Sequence, residues 1–344
     1  MKNLVKMTLT SAAIVFILPV LSFAEGKSIY GDDNRKDLFA MSSEMKAITG
    51  SIVSLWKSAD VTAEGSGFKM KTQKYSEMDF GGGKKLCPGE AFAEQAIGAF
   101  CSGSLVGEDL VMTAGHCITS EESCKTTKLV FGFAVNKEGA EAVTTVPAEN
   151  VYTCGSIVKR FLGSEVAAGN PEGLNLGADY ALIKLDRKVT GRKPLSVNRG
   201  TALKNGNGIF VIGHPVGLPV KLADSATVRD FSKAGYFVAD LDTFGGNSGS
   251  AVFNAATKKI EGILVRGDRD FKLSPAGCVT MATYEQTGGR GEDVTKVGEI
   301  SASIPLLKGE EAANRSGEVL EVRDVDSGAI QPREAAPSKS ISFD

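Results

Sequence analysis

The apolar residues of this chain come in short runs. Leu129 to Phe133, Ala181 to Leu185, Ile209 to Ile212, Tyr236 to Ala239, Ala251 to Phe253 and Ile260 to Val265 each span three to six residues. Gly, Asn, Asp and Pro separate them, and the chain's 40 glycines supply the turns. A run of that length matches a strand, whereas a globular helix needs roughly 10 or more residues. Strands joined by turns throughout imply an all-β sandwich or barrel. Helix-like patterning is confined to the segment before Ile48, to Glu90–Ile97 and to residues 114–120. No internal repeat is present.

The two ends read differently from the middle. Residues 1–24 have a basic start (Lys2, Lys6), an apolar stretch from Leu9 to Leu21 and a small-x-small close at Ser22-Phe23-Ala24. That is the pattern of a secretory signal peptide, too short and too interrupted by Pro19 for a comfortable membrane span. Residues 25–27 read as a short propeptide, 28–308 as one folded domain, and 309–344 as a polar, disordered tail. Export, to the periplasm or the medium, implies an oxidising compartment, so the six cysteines are expected to form three disulfides. Cys101 and Cys117 are the easiest to join, because the hairpin Phe100–Leu105, turn, Leu110–Thr113 brings them together. Cys87, Cys124, Cys154 and Cys278 allow three pairings; Cys124 with Cys154 and Cys87 with Cys278 is the favoured one. No two cysteines lie two to four residues apart and neither of the two histidines has a second nearby, so no metal and no cofactor is expected. The formal net charge of −2 with no basic block argues against nucleic acid as a partner. A monomer without stable membrane insertion is expected.

Three segments carry chemistry. Thr113-Ala114-Gly115-His116-Cys117 offers a base beside a cysteine. Ala178-Asp179-Tyr180-Ala181-Leu182 offers a carboxylate at the mouth of an apolar strand. Gly245-Gly246-Asn247-Ser248-Gly249-Ser250 offers a hydroxyl on a glycine-rich turn. A serine hydroxyl attacks poorly until a positioned base takes its proton. A buried carboxylate fixes the tautomer of that base and stabilises the imidazolium formed during attack. Ser248 is thus the candidate nucleophile, His116 the base and Asp179 the orienting acid. The N–H groups of Gly246 and Ser248 are the candidate oxyanion hole, so a side chain at position 246 should be poorly tolerated. Asp186 ends its strand rather than opening it and reads as a solvated turn residue. His214, in Gly213-His214-Pro215, reads as structural, and the single Trp56 as a core residue of the first half.

These segments, in the order His, Asp, Ser, resemble the trypsin-fold serine peptidases, and more closely their bacterial glutamyl endopeptidase-like branch. Cys101-Ser102-Gly103-Ser104-Leu105-Val106 ahead of the histidine motif, and Ala251-Val252-Phe253-Asn254 after the serine motif, carry the same resemblance. Ser28-Ile29-Tyr30-Gly31-Asp32-Asp33-Asn34-Arg35 looks like the mature amino terminus of that branch. The resemblance spans roughly residues 28–290. It implies two antiparallel six-stranded β-barrels with the active site between them, His116 and Asp179 on the first and Ser248 on the second. It implies a secreted endopeptidase acting on protein or peptide substrates through an acyl-enzyme. Where chymotrypsin-like zymogens carry an aspartate before the nucleophile, this chain has Asn247, so their charge-driven activation switch is unavailable. Trimming after Lys27, leaving Ser28 first, is the activation expected instead.

The resemblance divides on specificity. The residue six before the nucleophile, at the pocket base in trypsin-like enzymes, is Asp242, followed by Thr243; this favours cleavage after Lys or Arg. Glutamate-specific relatives carry a histidine in the strand where this chain has Leu264, yet Arg266 at the pocket rim could attract Glu or Asp. A rival reading from another class is a binding or toxin-like protein that keeps the fold and turns over little. Relatives of that kind usually lose a triad member or an oxyanion glycine, and this chain has lost neither.

Overall fold

The computed structural model describes residues 28–163, 177–200, 203–308 and 310. The signal-peptide segment, residues 25–27 and, apart from Glu310, the 309–344 tail lie outside the described residues.

Six strands close the first barrel: β1 (Ile52–Lys57), β2 (Cys101–Leu105), β3 (Leu110–Thr113), β4 (Thr127–Phe131), β5 (Val151–Leu162) and β6 (Asp179–Leu185). Their order is β4-β5-β6-β3-β2-β1, and β1 pairs back onto β4 from Val53 opposite Phe131 to Lys57 opposite Thr127. The sequence builds this because alternate positions are apolar: Val53, Leu55, Leu105, Val111, Leu129, Phe131 and Leu182 fill one continuous core. Adjacent residues on a strand face opposite ways, so Trp56, next to inward-facing Leu55, points out of the barrel. It is fully buried all the same, in a satellite cluster with Val61, Met70 and Phe133 rather than in the barrel core, and its indole N–H donates to Ser54 Oγ at 2.8 Å.

The second barrel is β7 (Gly208–Gly213), β8 (Lys221–Asp230), β9 (Tyr236–Ala239), β10 (Ala251–Asn254), β11 (Ile260–Arg266) and β12 (Glu292–Lys296). The order β7-β10-β11-β12-β9-β8 closes through a β7–β8 pairing. All ladders in both barrels are antiparallel. This is the chymotrypsin-type arrangement. The second barrel has its own interior (Ile209, Val211, Phe237, Val252, Leu264, Val294). Phe210, Ile212, Phe253 and Ile263 from its strands join the first barrel's core cluster, which welds the two together.

The amino-terminal segment belongs to the second barrel. Arg35–Asp37 adds a short strand to β8, and Ile29–Tyr30 runs parallel to Thr283–Tyr284. The Lys221 ammonium on β8 is buried against Asp37 Oδ1 at 2.5 Å and Gln95 Oε1 at 2.7 Å, over the Phe92 ring. Burial lowers its pKa from 10.5 to about 8, with Asp37 pulling the other way.

Three disulfides are present: Cys101–Cys117, Cys124–Cys154 and Cys87–Cys278. The first staples the loop that follows β3. In the chain-entropy model a loop of its size contributes about 3 kcal/mol. Two helix expectations fail. Glu90–Ile97 forms turns over residues 91–94 and a short strand at Ala96–Ile97, because Phe92 adopts φ 61, outside any right-handed helix. Residues 114–120 also form turns; the helix begins at Glu121, where Ser120 and Ser123 make a reciprocal capping box.

Candidate active site

Strand register brings the histidine and the aspartate together. On the antiparallel β3–β6 ladder Ala181 lies opposite Thr113, so Asp179, two residues earlier, faces the chain just beyond β3. That chain is Ala114-Gly115-His116. Gly115 is needed here for closeness: a Cβ on it would stand 2.5 Å from Phe161 O and 2.8 Å from Tyr180 O. The absence of a side chain lets Gly115 N–H reach Asp179 Oδ1 at 2.6 Å, joined by His116 N–H at 3.2 Å. The other carboxylate oxygen, Oδ2, lies 2.6 Å from His116 Nδ1.

Asp179 is 1% exposed, while the His116 side chain is 37% exposed. A carboxylate that accepts two backbone N–H groups with one oxygen has its other oxygen directed at the imidazole. The Nδ1 edge is thereby held as the proton-bearing edge, and Nε2 is left as the basic one. Thr295 on β12 ties this corner to the second barrel, accepting from Asp179 N–H and donating to Asp179 C=O, both at 2.9 Å. Arg160 Nε holds Gly115 C=O at 2.8 Å.

Ser248 arrives from the other barrel on the turn before β10 and is 8% exposed. Its carbonyl accepts Ser102 N–H at 2.8 Å and lies 3.6 Å from Cys117 Sγ, so the turn is pressed onto the disulfide beside His116. Gly249, at φ 88, allows this contact. A Cβ there would meet Ser102 O at 2.1 Å and Thr113 Oγ1 at 2.2 Å.

The peptides around Ser248 are oriented one by one. Gly245 C=O accepts Val216 N–H at 2.5 Å, and Asn247 C=O accepts Ser250 N–H at 2.9 Å. In a trans peptide the C=O and the following N–H point in opposite directions. The N–H groups of Gly246 and Ser248 therefore face away from Val216 and Ser250. Ser102 Oγ fixes the intervening peptide, donating to Gly246 C=O at 2.8 Å and accepting His214 N–H at 2.9 Å. Gly246 sits at φ 88, and a Cβ on it would meet His214 O at 2.6 Å and Gly217 N at 2.7 Å.

His214 serves the scaffold. It is 2% exposed, stacks on Phe133 at 5.9 Å between ring centroids, and its Nδ1 lies 2.9 Å from Leu218 O. Burial lowers its pKa from 6.5 to about 4; the Leu218 carbonyl opposes the shift and Lys221 assists it. Between those values the unfolded chain binds a proton that the folded chain does not. Folding stability should therefore fall as pH drops from about 6.5 to about 4, by up to roughly 3 kcal/mol from this group. Thermal unfolding of a His214→Asn protein across that range should show a flatter acid slope than the parent; an unchanged slope would contradict the assignment.

The pocket candidates each have partners within the fold. The Asp242 carboxylate is committed to the amino-terminal strand, accepting Tyr30 N–H at 2.8 Å and Asn34 N–H at 3.1 Å. Burial raises its pKa to about 7 against the pull of those two donors. Leu264 is fully buried inside the second barrel. Arg266 is 5% exposed, with Nε 3.2 Å from Asp293 Oδ2 and a terminal nitrogen 2.9 Å from Gly177 O. Thr243 donates its hydroxyl to Glu292 Oε2 at 2.6 Å. Glu292, Thr295 and Ser102 were not singled out from the sequence. Ser102 lies in a motif quoted above, without a role assigned to it there; no motif or spacing marks Glu292 or Thr295, which only strand register brings here. His116 Nδ1 or Nε2 and the sulfurs of Cys101 and Cys117 cluster within 4.8 Å, but those sulfurs are bonded to each other and offer no thiolate to a metal.

Residues 101–263 match the trypsin-like peptidase domain family. The chain is similar to chymotrypsin-like elastase family member 3A of Homo sapiens, 37% identical over 89 residues, which cover 26% of this chain and 28% of that relative. The match thus spans under a third of the relative's length. Among solved structures it is similar to a Glu endopeptidase in complex with MPD, with a TM-score of 0.43 and 17% identity over 80% of this chain and 98% of that one. It is also similar to the VesB protease of Vibrio cholerae, with a TM-score of 0.46 and 15% identity over 79% of this chain and 66% of that one.

Proposed function

We propose that this chain is an exported serine endopeptidase in which Ser248, His116 and Asp179 act as one unit. The observation that carries the proposal is the 2.6 Å contact of His116 Nδ1 with a buried Asp179 that also takes two backbone N–H groups, inside the region matching a trypsin-like peptidase domain. Ser248 Oγ attacks the peptide carbonyl and His116 Nε2 takes its proton. Asp179 stabilises the imidazolium so formed. The negative oxygen of the tetrahedral adduct rests on the N–H groups of Gly246 and Ser248. His116 then returns the proton to the departing amine, and water hydrolyses the acyl-enzyme by the same route.

Three disulfides among the described residues fit a protein that works outside the reducing cytoplasm. Maturation by cleavage after Lys27 fits the fully buried Ser28, whose carbonyl accepts Thr243 N–H at 3.1 Å and whose hydroxyl donates to Arg269 O at 2.9 Å.

The test is covalent. A fluorophosphonate probe incubated with the mature protein should label one residue, and peptide mass spectrometry should locate the adduct on Ser248. Folded, correctly processed protein that takes no label would overturn the reading.

A further inference from the structure

A register slip on the β11–β12 ladder has a chemical consequence. Leu264 lies opposite Val294, but Arg266 lies opposite Asp293, so β11 carries one extra residue. Past the slip, Gly267 comes to lie against Glu292. A Cβ at position 267 would stand 2.0 Å from Glu292 Oε2 and 2.4 Å from Oε1. The glycine leaves exactly the space that carboxylate occupies, and any other residue would displace it.

Glu292 is fully buried. Oε2 accepts the Thr243 hydroxyl at 2.6 Å; Oε1 accepts the Tyr30 hydroxyl at 3.2 Å and lies 3.4 Å from Asp268 N. Burial, then the neighbouring carboxylate, pushes the Tyr30 hydroxyl well above its usual pKa, so it stays a donor.

The three segments that meet at this carboxylate all lead to the nucleophile. Thr243 opens the turn that ends in Ser248. Gly267 continues β11, whose Leu264 accepts Gly249 N–H at 2.8 Å and donates to Ser250 C=O at 2.9 Å. Glu292 heads β12, which also carries Thr295, the residue clasping Asp179. The Glu292 carboxylate thus lies where the segments that position the nucleophile and its partners converge.

We infer that Glu292 is the specificity-determining residue: its carboxylate receives the side chain that precedes the scissile bond and selects Lys or Arg. The inference rests on the endopeptidase reading above. A long aliphatic stem can deliver a cationic tip to the carboxylate, in surroundings where an ion pair is poorly screened by water. The other charges nearby agree. Asp242 is turned to the amino-terminal strand, as described. Asp270 Oδ2 accepts Gly245 N–H at 2.9 Å, which adds negative charge beside the oxyanion turn. Of the basic groups, Arg266 and Arg290 contact Asp293, and Arg229 donates to the carbonyls of Gln286 and Gly288. An incoming Glu or Asp would meet like charge.

The experiment is a peptide-library digest by mature protein already shown to label at Ser248, with cut sites read by mass spectrometry. Cuts after Lys and Arg are expected, with competitive inhibition by benzamidine at millimolar concentration. In Glu292→Gln the ratio of kcat/KM for Lys or Arg peptides to that for peptides with an uncharged residue should drop by about 30-fold or more, the usual consequence of removing one partner of a buried charge pair. Being a ratio within one sample, it does not depend on how much of the variant folds. In Asp242→Asn the basic preference should persist. Labelled protein that cuts after Glu, Asp or small residues, or that ignores benzamidine, overturns the inference and leaves the peptidase reading intact. So does a Glu292→Gln protein with the parental ratio. Absence of labelling removes the peptidase reading and the inference together.

Discussion

Replacing Ser248 by alanine should lower kcat on a peptide substrate by four to six orders of magnitude, on the order of what losing the nucleophile of such a unit costs. The fold should be unaffected. What holds position 248 in place is backbone: its carbonyl on Ser102 N–H, and the flanking Gly249 N–H on Leu264. Alanine keeps both contacts and is smaller, so nothing around it needs to move. The remaining activity should be what the Gly246 and Ser248 N–H groups and substrate binding supply without a nucleophile. Steady-state kinetics beside thermal unfolding separates the two effects. Activity within tenfold of the parent, in protein that melts normally, would remove Ser248 from the role.

Asp179→Asn should cost nearly as much, roughly 10⁴-fold in kcat, for a reason particular to this geometry. One oxygen of Asp179 accepts from both Gly115 N–H and His116 N–H, and the other faces His116 Nδ1. An amide has only one carbonyl oxygen. Turned toward the two backbone donors, it presents its NH₂ to Nδ1, which must then act as acceptor, and the ring proton moves to Nε2. The base then faces Ser248 with a proton already on it. Turned the other way, the NH₂ collides with two N–H groups that cannot accept. The first arrangement preserves the fold and silences the base. An NMR spectrum of the imidazole nitrogens should show the proton on Nε2 in the variant and on Nδ1 in the parent. A variant within about tenfold of the parent in kcat would mean that Asp179 does not set the tautomer.

Much of this was legible in the chain. Short apolar runs between turn residues require strands, because each run is long enough to line one side of a strand and too short to stripe a helix. Asp179 could be singled out because it opens an apolar strand, where a carboxylate can stay at the rim while its neighbours go to the core. Cys101 and Cys117 could be joined because a hairpin lies between them. The segments read as helical after His116 and at Glu90–Ile97 misled, because composition does not reveal that Ser120 caps a later helix or that Phe92 takes a left-handed conformation.

The pocket shows where local reading stops. Asp242 stood out by counting back from Ser248, yet its carboxylate is used on the backbone of residues 30 and 34, more than 200 positions away in the chain. Glu292 has no motif around it. It lies against Gly267 only because β11 carries one extra residue where it pairs with β12.

By itself, then, the sequence determined the strand-rich class, the residue types able to do the chemistry and the glycines that permit close approach. These depend on periodicity and on properties each residue carries wherever it sits. The tertiary structure alone decided that the Asp242 carboxylate is spent on holding the amino-terminal strand and that Glu292 comes to lie against Gly267 and Thr243. Those outcomes depend on register between strands far apart in the chain. A slip of one residue there exchanges the buried face for the exposed one, and no local pattern records it.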